Sequence, residues 1–365
     1  MTLPQVQLSG SPYQQGVQHG RALRKQIDHN LHVYFDRFLR EGGVGREEVL
    51  SRAQRYGEAI ATQTPAYYEG MRGIAAGAGQ PLVDIVALNV RYEILYYQYT
   101  VNQIERVSAD GCTSFAIAPE ASANGHLLLG QNWDWIPEVQ GALLHTTHDD
   151  APATLAFTEA GIFGGKIGLN SAGLGLAING ITTTSDDWAR LKSPFHVRCY
   201  EILRQTSLAA ARAVVHAGGR ACSGNYLIAA LPDQVVNLEA APDVVNELGW
   251  ESGCLVHANH FVDPEALSVL EPPDELYRQT SCRRQARLEE LLARRPVHVE
   301  DLQRYLRDHN TAPRDICRHE DPEAPIDERY RTVTSIIIDL DEEKLWATDG
   351  PACQDDFTLY QLKRE

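Results

Sequence analysis

Cysteine is intrinsically very nucleophilic, and one cysteine of this chain sits where covalent chemistry is easy to arrange. Cys112 follows Gly111 and precedes Thr113 and Ser114 within DGCTSFAIAPEASANGHLLLGQNWDW, residues 110–135. The apolar run 115–118 predicts a strand, and a nucleophile at the head of a strand is held rigidly. A turn at Asn124 and Gly125, followed by a second apolar run at 126–129, predicts a hairpin. Its returning strand leads into Gln131, Asn132, Trp133 and Asp134. That return makes Asp134 a neighbour of Cys112.

Glycine before such a cysteine suits a bond that the protein cuts itself, because glycine has no side chain to block attack and tolerates a strained backbone. In this reading the Cys112 thiol attacks the Gly111 carbonyl, the acyl group moves from nitrogen to sulfur, and water releases the thioester. Cys112 becomes a new amino terminus. A free α-amine titrates near about 7.7–8.0, against about 10.4 for lysine, so near neutral pH it serves as a base for its own thiol. Nucleophile and base are then one residue.

The whole chain limits the partners of such a site. It has 365 residues, 43% hydrophobic and 22% charged, an ordinary globular composition able to build a sizeable core. A formal net charge of -16 repels nucleic acid and anionic membrane surfaces, and no basic run with interleaved aromatics offsets it. No apolar run reaches the roughly 18 residues of a membrane helix. The start MTLPQVQLSG lacks the basic and apolar regions of a signal peptide. The expectation is a soluble, cytoplasmic protein without nucleic-acid or membrane partners.

Other patterns carry less chemistry. The cysteines are scattered without a CxxC pair, which predicts small buried thiols rather than a disulfide framework or a structural zinc site. His145 with His148, and His257 with His260, have metal-like spacing but no HExxH context, so no metal is expected. Asn170, Ser171 and Gly173 fall short of a nucleophile elbow because Leu169 stands where glycine is required. No GxGxxG motif or P-loop is complete.

Hydrophobic spacing and Pro or Gly punctuation place the elements around the cysteine. Helices are predicted over 12–40, 46–62, 65–77 and 81–99, so the segment before Cys112 is mostly helical. Short strands follow at 154–159, 166–169, 174–179, 226–230, 235–239 and 254–259. Helices are expected at 194–204, 207–217, 274–294 and 299–308, and a closing hairpin over 332–339 and 344–348 turns at Asp341 and Glu342. Sheets flanked by helices imply an α+β fold, layered or four-layer αββα. No internal repeat or low-complexity linker divides the chain.

These residues carry a resemblance. The ordered motifs SPYQQGVQHG, YYEGMRGIAAGA, DIVALNVRYE, DGCTS, GQNWDW, TEAGI, GKIGLNSAGLGLAIN, LVHANHF and DICRH span nearly the whole chain. The sequence resembles the acyl-coenzyme A:isopenicillin N acyltransferase family of N-terminal-nucleophile enzymes. The resemblance implies an αββα N-terminal-nucleophile hydrolase fold, made as an inactive precursor and cut between Gly111 and Cys112. The products, a mostly helical 1–111 chain and a β-rich 112–365 chain, would stay together in one fold. The family's nucleophile falls on Cys112, its neighbouring hydroxyl on Ser114, and its aspartate on Asp134, which holds the free amine or orients the strand. Asn259 matches the asparagine expected in the oxyanion hole. Arg318 matches an arginine near the cysteine that pairs with an aspartate or a substrate carboxylate. Asn179 is expected to line the pocket.

The function that follows is cleavage or transfer of acyl groups at linear C–N amide bonds through an acyl-Cys112 thioester. Hydrolysis and transfer differ only in whether water, an amine or a thiol resolves that thioester. A choloylglycine-hydrolase-like or other N-acyl amine amidase is an alternative, as is a non-catalytic small-molecule binder on the same scaffold. No cofactor is expected, and acyl-coenzyme A enters only as a candidate substrate.

Overall fold

The computed structural model describes residues 2–101, 111–250, 252–311, 314–326 and 329–362. Among the described residues six helices precede Cys112: α1 (Pro12–Ala22), α2 (Arg24–Arg40), α3 (Arg46–Gln63), α4 (Pro65–Ala78), α5 (Leu82–Asn89) and α6 (Arg91–Val101). A capping box between Ser11 and Gln14, with Pro12 in the first turn, starts α1. The helix predicted over 12–40 is broken at Leu23, and the one predicted over 81–99 is broken at Val90. Neither break has a Pro or Gly to announce it. The first separates α1, which packs on α4, from α2, which packs on α3, α5 and α6 as well.

Two sheets form the centre. The larger runs in the order β1 (Gln5–Leu8), β4 (Gly141–Thr146), β5 (Thr154–Glu159), β6 (Ile167–Asn170), β7 (Leu174–Asn179), β8 (Gly224–Ala230), β9 (Gln234–Ala240) and β10 (Val245–Leu248). Among the described residues its β1–β4 pair is parallel and its other pairs are antiparallel. The smaller runs β11 (Cys254–His257), β2 (Thr113–Ile117), β3 (Leu128–Trp135), β12 (Arg331–Asp339), β13 (Lys344–Ala347) and β14 (Thr358–Gln361), all antiparallel. The sheets face each other through β2 and β3 on β7. Helices α7 (Phe195–Leu203) and α8 (Leu208–His216) cover the larger sheet, and α9 (Glu275–Leu292) and α10 (Val299–Tyr305) cover the smaller one. The fold is therefore α+β with αββα layers.

The expected hairpin forms, with Thr113 opposite Asn132 and Ile117 opposite Leu128. The first strand begins earlier than the apolar run suggests, so Cys112 lies one residue ahead of it. Alternation along β2 then decides what each side chain meets. Phe115 and Ile117 pack in the apolar cluster with Leu288, Leu292 and Leu302 of α9 and α10. Cys112 and Ala116 belong to the larger core between the sheets. Strand β11 stops at His257, so Asn259 lies beyond the strand rather than on it.

Candidate active site

Cys112 is 1% exposed, and its sulfur lies 3.8 Å from the Asp134 carbonyl oxygen. Asp134 has a buried side chain. A register shift between Thr332 and Thr334 bends β12 beside it, and the Thr332 hydroxyl donates to Asp134 Oδ1 at 2.6 Å. Thr332 also ties in Arg318: its Oγ1 accepts from the Arg318 N–H at 2.9 Å, and its own N–H donates to the Arg318 carbonyl at 3.0 Å. A β-carbon built on Gly111 would stand 2.5 Å from Asp134 Oδ2 and 2.9 Å from Arg318 Nη1. Glycine is required here by close approach. The structure thus gathers Gly111, Cys112, Asp134 and Arg318 at one point.

Arg284, which no sequence motif marks, makes direct contact with both sides of the bond before Cys112. Its Nη1 donates to the Gly111 carbonyl oxygen, to the Cys112 carbonyl at 2.7 Å and to Thr113 Oγ1 at 2.9 Å. Its Nη2 donates to Asn259 Oδ1 at 2.9 Å. This pins the Asn259 amide, whose Nδ2 donates to the Gly180 carbonyl at 2.9 Å and whose backbone N–H donates to Ser281 Oγ at 2.7 Å. A signal existed: Ser281, Arg284, Leu288 and Leu291 recur at helical spacing on the buried stripe of α9. An arginine on such a stripe needs a buried partner.

Ser114 and Asn179 join the two sheets behind the nucleophile. Ser114 Oγ donates to Asn179 Oδ1 at 2.8 Å, which also accepts from Asn225 Nδ2 at 2.9 Å. Asn225 and Asn237 exchange further bonds at 2.8 Å. Asn179 therefore bears on Cys112 indirectly, through Ser114 two residues along the chain.

A second charged group lies on the other side. Lys166 Nζ sits 3.2 Å from the centre of the Trp133 ring and 2.5 Å from Glu159 Oε1. Glu159 also accepts from Arg91 and Tyr34, and Trp135 Nε1 donates to the Tyr34 hydroxyl at 2.7 Å. Burial alone would raise the Glu159 carboxyl, but Arg91 and Lys166 outweigh it and hold the group well below the usual range. Burial brings the Lys166 ammonium down to about 8, with Glu159 opposing and Arg91 reinforcing. Burial likewise lowers Arg318 to about 10, against the pull of Asp134 and with the repulsion of Arg314 and Arg284.

The histidine pairs singled out by spacing do not converge as ligands. His145 Nδ1 meets Gln7 Oε1 at 2.5 Å, whereas His148 Nδ1 meets Arg204 Nη1 at 3.1 Å. His257 Nε2 meets Glu239 at 2.8 Å and His260 Nδ1 meets Ser281 at 2.8 Å.

Comparison with known proteins adds a lineage to this geometry. The family model described as acyl-coenzyme A:6-aminopenicillanic acid acyl-transferase matches residues 121–351. The 40 kDa form of acyl-coenzyme A:6-aminopenicillanic-acid-acyltransferase from Emericella nidulans is 30% identical over 322 residues, 86% of this chain and 84% of that protein. Among solved structures, the Caenorhabditis elegans ortholog of N-acylethanolamine-hydrolyzing acid amidase has a TM-score of 0.47 at 13% identity, covering 63% of this chain and 93% of that one. A mutant conjugated bile acid hydrolase from Clostridium perfringens has a TM-score of 0.47 at 9% identity, covering 69% and 97%.

Proposed function

The chain belongs to the acyl-coenzyme A:6-aminopenicillanic acid acyltransferase family, and from that membership we propose a self-processing cysteine enzyme that hydrolyses or transfers acyl groups at linear amide bonds. The observation that carries the reading is the buried Gly111–Cys112 bond, with Arg284 on the Gly111 carbonyl and with Asp134 and Arg318 against the Gly111 α-carbon.

Maturation comes first. The Cys112 sulfur attacks the Gly111 carbonyl carbon, and the negative charge that develops on its oxygen meets the Arg284 guanidinium. The C–N bond breaks as the Cys112 nitrogen takes up a proton, leaving a thioester. Water then releases the Gly111 carboxylate and the thiol. The freed Cys112 amine serves as base for the sulfur in later turnovers. In those turnovers the sulfur attacks a substrate amide or thioester at the position that the Gly111 carbonyl held. The amine or thiol leaves with a proton, and water or an acceptor amine resolves the acyl-Cys112 thioester. Asn259, its oxygen engaged by Arg284, presents Nδ2 as the amide donor to the developing oxyanion. Arg318 and Asp134 position the amino terminus or a substrate carboxylate.

The chains 1–111 and 112–365 stay associated in this proposal. Strand β1 pairs with β4, and Tyr34 and Arg91 share a buried cluster with Trp135 and Glu159. Among the described residues no helix is long and apolar enough to cross a membrane. A cytoplasmic location, suggested by composition, belongs to the same proposal and is checked by fractionation.

The test is adduct mapping. Matured protein is quenched in acid during turnover of an N-acyl amide or an acyl thioester. A hydroxylamine-labile acyl group on the peptide that starts at Cys112 is expected. Full turnover by Cys112→Ala, or an adduct on another residue, contradicts the mechanism.

A further inference from the structure

Four metal-ligating side chains from three separate segments converge beside Arg318. His309 follows α10, Cys317 and His319 flank Arg318, and Cys353 lies in the turn between β13 and β14. Their ligand atoms all lie within 4.8 Å of one another. His319 Nε2 is 3.1 Å from His309 Nε2, 3.1 Å from the Cys353 sulfur and 4.0 Å from the Cys317 sulfur. A tetrahedral zinc with the usual Zn–N and Zn–S lengths sets its ligand atoms about 3.3–3.8 Å apart. The observed spacings bracket that range.

Hydrogen bonding does not account for the cluster. One imidazole nitrogen carries either one hydrogen or one lone pair, so His319 Nε2 satisfies one of its three neighbours and not all of them. A cation at the centre satisfies two imidazole lone pairs and two thiolates together. Sulfur and imidazole donors in tetrahedral array select zinc among the common divalent ions. Two thiolates also neutralise the dication, which suits a cluster whose Cys317 is buried next to the buried Arg318.

We propose that His309, Cys317, His319 and Cys353 bind one zinc ion as a closed structural site. Four protein ligands leave no open position, so the ion cross-links and does not touch substrate. Alternation explains its bearing on the rest of the molecule: Cys317 and His319 converge on one side, while Arg318 between them faces Gly111 and Asp134. The ion ties the segment after α10 and the β13–β14 turn to the piece of chain that presents Arg318. The Gln354 amide, 3.4 Å from His319 Nδ1, accepts that nitrogen's hydrogen once its oxygen is turned inward. The sequence expectation of no metal site rested on missing CxxC and HExxH patterns. It did not reach ligands that only the fold gathers.

The full chain, purified without chelator or metal-affinity tag, is dialysed after exposure to zinc, and bound metal is counted by plasma mass spectrometry. About one zinc per chain is expected in the wild type, at least about tenfold less in His309→Ala and Cys353→Ser. Cobalt replacement in the wild type is expected to show sulfur-to-cobalt charge-transfer absorption, a readout that needs no variant to fold. A wild type without zinc, equal zinc in the variants, or a Cys317–Cys353 disulfide found by thiol counting overturns the site.

Discussion

Gly111 has a carboxylate and a guanidinium against its α-carbon, so even a methyl group must displace one of them. Gly111→Ala is expected to slow self-cleavage at least tenfold while the protein stays folded, measured as precursor remaining over time on denaturing gels. Arg284→Gln removes the charged donor from the Gly111 oxygen and is expected to slow cleavage by about 10²–10³-fold, the usual loss for one oxyanion donor. A cleavage rate unchanged in Arg284→Gln contradicts its role. At this scale, legibility tracked sequence separation. Cys112 and Asp134 are joined by one hairpin, and pattern reading could place them together. Arg284 reaches Gly111 from a helix 173 residues away, and the side chains of His309, Cys317, His319 and Cys353 meet from three separate segments. The helical stripe marks Arg284 as buried but does not name its partner, and nothing local marks the second meeting.

The α1–α4 contact shows what element-scale reading misses. Gly16 and Gly20 of α1 lie against Gly70, Gly73 and Ala78 of α4, close enough that a β-carbon on Gly73 would meet Gly16 Cα and Val17 N, each at 2.9 Å. Backbone cannot move aside as a flexible side chain can. Gly73→Ala is therefore expected to destabilise the protein by about 1–3 kcal/mol, read as a lower denaturant midpoint. Gly249→Ala, with nothing within 4 Å of its added carbon and outside any helix or strand, is the near-neutral control. Long periodic segments were legible as helices and strands, because burial on one face writes its period into the chain. The breaks at Leu23 and Val90 were not, since tertiary packing imposes them without Pro or Gly. Strands β4, β10 and β14 were not anticipated either; their short runs, such as GALLHT and VNEL, carry weak local signals.

For the whole molecule, buried charge makes stability depend on pH. Burial raises Glu93 to about 7, opposed by its bond from the Phe195 N–H and by nearby Arg91 and Arg198. Between the ordinary carboxyl range and about 7, the folded state keeps a proton that the unfolded state has lost. Stability from this group is thus full at low pH and is lost as pH rises through about 7. Glu93→Gln keeps an acceptor for Phe195 and removes the titration. It is expected to stabilise the fold relative to wild type at pH ~8 by on the order of 3 kcal/mol, read as a higher Tm, and to change the Tm little at pH ~5. His19, which burial lowers to about 4, acts in the opposite direction but cancels in that comparison. The central claim, that one residue becomes both nucleophile and amino terminus, is tested most directly by intact mass spectrometry of the full chain beside Cys112→Ala. The account predicts two wild-type fragments, ending at Gly111 and starting at Cys112, and a single uncut chain for the variant. A wild type that remains one chain across neutral and mildly alkaline pH, or a Cys112→Ala chain cut at the same bond, would contradict it.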